Sequence, residues 1–178
     1  MRKFVLTYGL IAGAILSLSM LGSLPFMEQI GFEYGMVIGY TSMVAAFLMV
    51  YFGIRSYRDQ AADGRIGFGR AFVVGLAITL VGTVCYVATW QFVYYRITPD
   101  FTERYSAYAI EKARKSGATE AQIAAKKKEM AEFSEMYKNP LVNIAFTLLE
   151  PLPVGLLFTG VSAFMLSRPR RQSGVVPG

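Results

Sequence analysis

Few residues in this chain have the type and spacing for chemistry. The segment IAFTLLEPLPVGLLF, residues 144–158, is apolar enough for hydrocarbon, yet it holds a carboxylate, Glu150, directly followed by Pro151 and Pro153. A carboxylate can carry a proton, accept hydrogen bonds or balance a cation. Ionised at mid-bilayer depth it costs roughly 2.5–3.5 kcal/mol. Holding it neutral at pH 7, from an ordinary glutamate pKa of about 4.3, costs about 3.7 kcal/mol. The two costs are comparable, so its charge state stays open. Either form must turn away from lipid, toward a bundle interior, a partner or a water-filled space. The prolines add polarity: Pro151 removes the donor for the Thr147 carbonyl and Pro153 the donor for the Leu149 carbonyl. Broken helices of this kind are tolerated where neighbours or water restore the bonds, and they mark ligand sites in transporters. By depth, the partners expected for Glu150 are Tyr86 and, set somewhat high, Gln91, with Thr147 on the same face one turn earlier. The structural assignment is an acid that fixes helix register; the functional one is a proton carrier or a site for a cationic or polar ligand. The apolar stretches contain no second acid, which favours the structural assignment.

No other constellation competes. The chain has no histidine and one cysteine, Cys85. That removes disulfide frameworks, Cys/His metal sites, and Ser–His or Cys–His nucleophile pairs. We therefore expect no metal, no cofactor and no enzymatic activity. The net charge of +6 suits a neighbour of anionic lipid. The basic residues are split among connections rather than gathered on one face, so nucleic acid is not an expected partner.

The elements that must position Glu150 follow from where charge is missing. No charged residue lies between Lys3 and Glu28, between Glu33 and Arg55, or between Arg70 and Arg96, and Lys138 to Arg168 contains only Glu150. Each gap reaches the ~20 residues a helix needs to cross a bilayer. We expect an all-α membrane protein with four transmembrane helices, near residues 4–24, 34–54, 71–95 and 141–166, as a single membrane domain. The first span is expected to remain uncleaved, since GSLPFMEQ lacks a small-residue cleavage pattern. Residues 97–139 read as an extramembrane helical hairpin between the third and fourth spans. Thr98 is its expected N-cap with Pro99 at the first helical position, Ser116-Gly117 the stop, and Thr119 with Gln122 a capping box. Residues 168–178 read as a disordered basic tail.

Arg2 and Lys3 flank the first span, and the first connection, MEQIGFEYG, has no basic residue. The second connection carries Arg55, Arg58, Arg65 and Arg70. The positive-inside rule then places both termini and the second connection in the cytoplasm and residues 97–139 outside, in the periplasm or beyond. Those four arginines are candidate contacts for lipid headgroups or a partner, against the simpler role of stop-transfer charges. Gly9 and Gly13 form one G-x-x-x-G pattern, and Gly31, Gly35 and Gly39 form two in series. Small residues four apart let helices approach in lipid. These glycines are expected to seat the four helices on one another, with a homodimer face as the alternative. Trp90, Tyr94 and Tyr95 at the outer end and Tyr51 and Tyr57 at the inner end read as interfacial belts.

The segments IGYTSMVAAFLMVYFGIRSYRD (38–59), GRIGFGRAFVVG (64–75), PDF (99–101) and EPLPVGLLF (150–158) together resemble the bacterial membrane family catalogued as domain of unknown function 4199. The resemblance covers nearly the whole chain. It implies a multi-helix protein of the bacterial inner membrane and brings no activity. The reading from residues is a small structural or accessory helix-bundle component, with the lipid bilayer and a homodimer or larger membrane-protein complex as its partners. The alternative is a minimal transporter or proton-coupled component that uses Glu150.

Overall fold

The computed structural model describes residues 1–168, apart from the Glu28 side chain, and among these residues every regular element is helical. The basic tail expected over 168–178 lies, beyond Arg168, outside the described residues. Helix α1 spans Arg2–Ser23 and leads through a short 3₁₀ turn, Leu24–Phe26, into α2, Met27–Ala61. Helix α3, Phe68–Phe92, closes with a π-helical turn, Val93–Ile97. Helices α4 (Phe101–Lys115) and α5 (Glu120–Tyr137) follow, then α6 (Pro140–Leu149) and α7 (Pro151–Ser167). Four segments are long and apolar enough to cross a membrane: Arg2–Phe26, Gln29–Ala61, Phe68–Ile97 and Pro140–Ser167. Each of the four spans expected from the charge gaps falls within one of them, allowing for the longer ends.

The two short connections are more helical than expected. MEQIGFEYG is helical on both sides of a break at Gly31, which falls inside the expected connection, and a 3₁₀ turn at Leu24–Phe26 precedes it. What interrupts α2 is Gly31, at φ +70° and ψ 169°. That left-handed φ is open to glycine and strained for a residue with a Cβ. At its other end α2 runs on to Ala61, so Arg55 and Arg58 are helical and not part of a loop. The tight turn lies just beyond, with Gly64 at φ +75°.

Helix α3 is the centre of the bundle and packs against α1, α2 and α7. Gly9 and Gly13 make the α1–α3 approach possible. A Cβ on Gly9 would sit 2.6 Å from Cβ of Val81, and one on Gly13 would sit 2.6 Å from Cβ of Cys85. Gly31, Gly35 and Gly39 behave differently: a Cβ on any of them meets no atom within 4 Å. They do not seat helices of this chain on one another, contrary to the expectation, because they border a cavity that keeps the facing helices away from α2. Besides Gly9 and Gly13, the glycines that seat helices on one another lie outside any G-x-x-x-G pattern. Gly75 on α3 faces Ile54 and Thr159, and Gly155 on α7 faces the Thr79 methyl and the Phe47 ring. Their i+4 partners are Thr79 and Thr159, whose hydroxyls lie 3.0 Å apart; Thr79 also donates to the Gly155 carbonyl at 3.3 Å.

The interior is therefore small and partly polar. Thr79, Thr83, Thr159 and Ser162 are buried beside Phe47, Val50, Ile54 and Ile78. Large apolar side chains face outward instead, Leu18, Leu141 and Leu157 among the most exposed. In water such a surface would drive aggregation. In hydrocarbon it is the stable arrangement, since helices there associate by close packing of small residues and interhelical hydrogen bonds.

Helices α4 and α5 pack on each other. Thr98 does not cap α4, whose N-cap is Asp100; the Thr98 hydroxyl instead donates to the Val93 carbonyl at 3.4 Å, because the π turn carries the third span further than its charge gap implied. The Thr119–Gln122 capping box is formed, and Gly117, at φ +81°, ends α4. Aromatic residues tie the pair to the bundle. Phe32 of α2 meets Tyr105 and Tyr108 of α4 at 5.6 and 5.1 Å between ring centroids. Trp90 of α3 meets Phe101 edge-on at 4.8 Å, and its indole N–H donates to the Tyr137 hydroxyl at 3.0 Å. Tyr94 is 6% exposed and packs on Tyr137. Trp90 and Tyr94 are thus engaged by α4 and α5 and do not form an outward-facing belt, while Tyr95 is exposed. At the other end Tyr57 is buried against Phe4, under the Arg70 guanidinium.

Candidate functional site: a chamber at the α6–α7 break

The fourth long apolar segment is divided at Glu150, which ends α6 and precedes Pro151 at the start of α7. The residue keeps right-handed dihedrals, φ −73° and ψ −58°, so the interruption is one of hydrogen bonding and not a sharp corner. Pro151 and Pro153 fall in the first turn of α7, where backbone N–H groups have no intrahelical acceptor in any case. The sequence thus accommodates two prolines at little local cost, and it does so where an acid begins the new helix.

Tyr86 of α3 donates its hydroxyl to Oε2 of Glu150 at 2.7 Å. This bond spans the gap between the central helix and the break. Gln91 does not reach the acid. Its side-chain amide donates to Oδ1 of Asn143 at 2.7 Å, about two turns nearer the α5 end of α6. Thr147 is buried and donates to the Asn143 carbonyl at 2.8 Å. Sequence reading had missed Asn143, which is fully buried and whose amide nitrogen has no partner. Its signal was available: Asn143, Thr147 and Glu150 recur at the four- and three-residue spacing of one helix face. Tyr137 of α5 also belongs to this site. It joins Trp90 to the α6 face, and burial pushes its phenol above the ordinary tyrosine range.

Glu150 and Tyr86 lie on the wall of a cavity of about 990 Å³. The outer parts of α1 and α2 form one side, α3 and α6 the opposite side, and α4 with α5 the roof. The cavity exists because α2 packs on α7 but not on α6. Beyond the Thr79–Thr159 contact α1 and α3 stay together, at Gly13 against Cys85 and through a Ser17–Thr89 hydroxyl pair at 2.7 Å, while aromatic side chains of α3, α5 and α6 border the space in front of α2. Glu150 is exposed within this setting. The other charged residues on the wall are Lys112, Lys126 and Glu129. Lys126 bonds Glu129 at 2.8 Å, and Lys112 lies 3.7 Å from Glu33 of α2.

The arginines expected at headgroups are not equivalent. Arg58 is 7% exposed and donates to Asp59 at 2.8 Å, so it faces the protein and not a headgroup layer, held there by the continuation of α2. Arg55 lies 3.8 Å from the same carboxylate and remains half exposed. Arg70 covers the Tyr57 ring at 5.5 Å, and Arg65 is exposed.

The break thus brings together an acid held by a tyrosine, a Gln91–Asn143 amide pair and a half-open cavity. No curated protein and no solved structure matches the chain. The family model described as "Protein of unknown function (DUF4199)" matches residues 7–168, nearly the whole length, and the chain belongs to that family.

Proposed function

We propose that this is a multi-pass protein of the bacterial inner membrane that works without catalysis, as a structural or accessory helix-bundle component. Both termini and the α2–α3 turn are cytoplasmic in this reading, and α4 and α5 lie outside. The observation that carries it is the Tyr86–Glu150 bond: the one acid of the Pro140–Ser167 segment is engaged in holding the central helix to the break between α6 and α7. The outward-facing leucines and the interior of glycine and threonine support residence in lipid. Arg55, Arg65 and Arg70, all exposed near the α2–α3 turn, support that end as the cytoplasmic one. The outward-facing side chains of α2, Tyr34, Val37 and Val44 among them, are the surface offered to a second copy or to another membrane protein. Purification from native membranes in mild detergent tests the reading. A co-purifying membrane partner or a homodimer is the expected result, and recovery of lone monomers alone counts against it. Maleimide labelling of an Ala118→Cys variant from outside intact cells tests the orientation, and absence of labelling beside a labelled external control reverses it.

A second reading has one observation in its favour, the chamber that Glu150 faces. An intramembrane acid beside a broken helix is the arrangement by which transporters hold ions and protons. Glu150→Gln keeps shape and hydrogen bonding but cannot titrate. A phenotype that survives Gln and fails with Leu supports the structural role, whereas equal failure of both supports the proton-coupled one.

A further inference from the structure

We infer that the chamber binds a lipophilic organic cation, with the positive charge against Glu150. The inference deepens the transport reading by naming a ligand class, and it requires only that the chamber bind, not that it move, the ligand.

The charge inventory of the wall points to this class. Lys126 is neutralised by Glu129 and Lys112 by Glu33. Glu150 is left with a phenolic hydroxyl on one oxygen and, among the described residues, no basic side chain within ion-pair distance. In a weakly polar enclosure an uncompensated carboxylate attracts a cation far more strongly than it would in water. The walls suit a diffuse charge in particular. Tyr86, Trp90, Tyr137 and Phe146 border the cavity near the acid, with Tyr137 and Phe146 at 6.3 Å between centroids. Aromatic faces stabilise quaternary and other delocalised cations, which have no N–H to satisfy. Met20 and Met43 on the opposite side offer adaptable apolar contact. The volume of about 990 Å³ is at the upper end of the range for drug-sized ligands. Anions and zwitterionic phospholipids fit less well, because each lysine on the wall already has a carboxylate and none is spare for a phosphate.

Trp90 is the sole tryptophan of the chain and borders the chamber, so its fluorescence reports occupancy. The test titrates the full-length protein in a neutral detergent with tetraphenylphosphonium and, separately, with tetraphenylborate, an ion of nearly the same shape and opposite charge. A saturable change in Trp90 emission is expected with the phosphonium, at an affinity at least about tenfold above that for the borate. Glu150→Gln is expected to weaken phosphonium binding by about tenfold, and Glu150→Asp to retain most of it. Equal binding of the two ions, a change that never saturates, or a Glu150→Gln protein that binds as the parent does would each overturn the inference. Should the Gln variant fail to fold, the comparison of the two ions on the unaltered chain decides the matter alone. Binding without phosphonium uptake in reconstituted vesicles leaves the inference standing and removes the transport reading.

Discussion

The two ends of the bundle are built from the same helices and pack in opposite ways. Toward the α2–α3 turn, Gly53, Gly75 and Gly155 let backbones meet side chains directly, and Phe47, Ile54 and Ile78 are wholly buried. Toward α4 and α5 the helices part around a cavity of about 990 Å³. The tight region ends near Thr79 and Thr159, about two and a half helical turns from the α6–α7 break. Past it α1 and α3 stay in contact, through Gly13 against Cys85 and a 2.7 Å hydrogen bond between the Ser17 and Thr89 hydroxyls. It is α2 and α6 that stand apart there, with Gly31, Gly35 and Gly39 on one side of the cavity and Tyr86, Trp90 and Phe146 on the other. Glu150 stands on the wall of this open region.

Substitutions at the two sets of glycines give the largest contrast. Gly155→Leu forces a side chain onto Thr79 and Phe47 and should cost about 3 kcal/mol or more, seen as loss of a monodisperse detergent complex on mild heating. Gly35→Leu has open space and should leave the melting temperature of the monomer unchanged or slightly higher. A similar loss at both positions would mean that the chamber beside Gly35 is filled or closed in the folded protein. Next in size is the wall of the open region. Glu150→Leu should cost about 1–2 kcal/mol through the stranded Tyr86 hydroxyl, and Glu150→Gln much less. If the Tyr86→Phe, Glu150→Leu double variant is no less stable than either single one, the two residues act as a pair. Thr119→Ala should cost about 1 kcal/mol, confined to α5 and visible as faster amide exchange at Glu120–Gln122. The smallest effect is expected at the roof. Lys112→Ala removes an exposed pair with Glu33, should barely move the melting temperature, and should be mimicked by added salt. A large loss there would show that α4 is held to α2 by charge and not by the Phe32 cluster.

Much of the local structure was legible in the sequence because its causes are local. Thr119 with Gln122, and Gly117, act within a few residues of themselves, and each is found in its expected role. Tyr86 was legible as the partner of Glu150 because two residues at one depth on adjacent spans have few others to choose from. Gln91 went to Asn143 instead, since a bond depends on rotation about two helix axes that depth does not specify. The glycines illustrate the same boundary. Gly9 and Gly13 pack on α3, whereas Gly31, Gly35 and Gly39, with the same spacing, face open space. A small residue permits contact and does not say where the other helix will be.

What the amino-acid sequence determined by itself is the number, length and apolarity of the long helices, and the places where they are capped or broken. These follow from the energetics of backbone hydrogen bonds and of charge in hydrocarbon, which act along the chain. Which faces meet, that Arg58 turns inward, and that the helices enclose a chamber with an unbalanced carboxylate on its wall were decided only by the tertiary structure. Those outcomes depend on several helices packing at once, and no single segment contains the information for that.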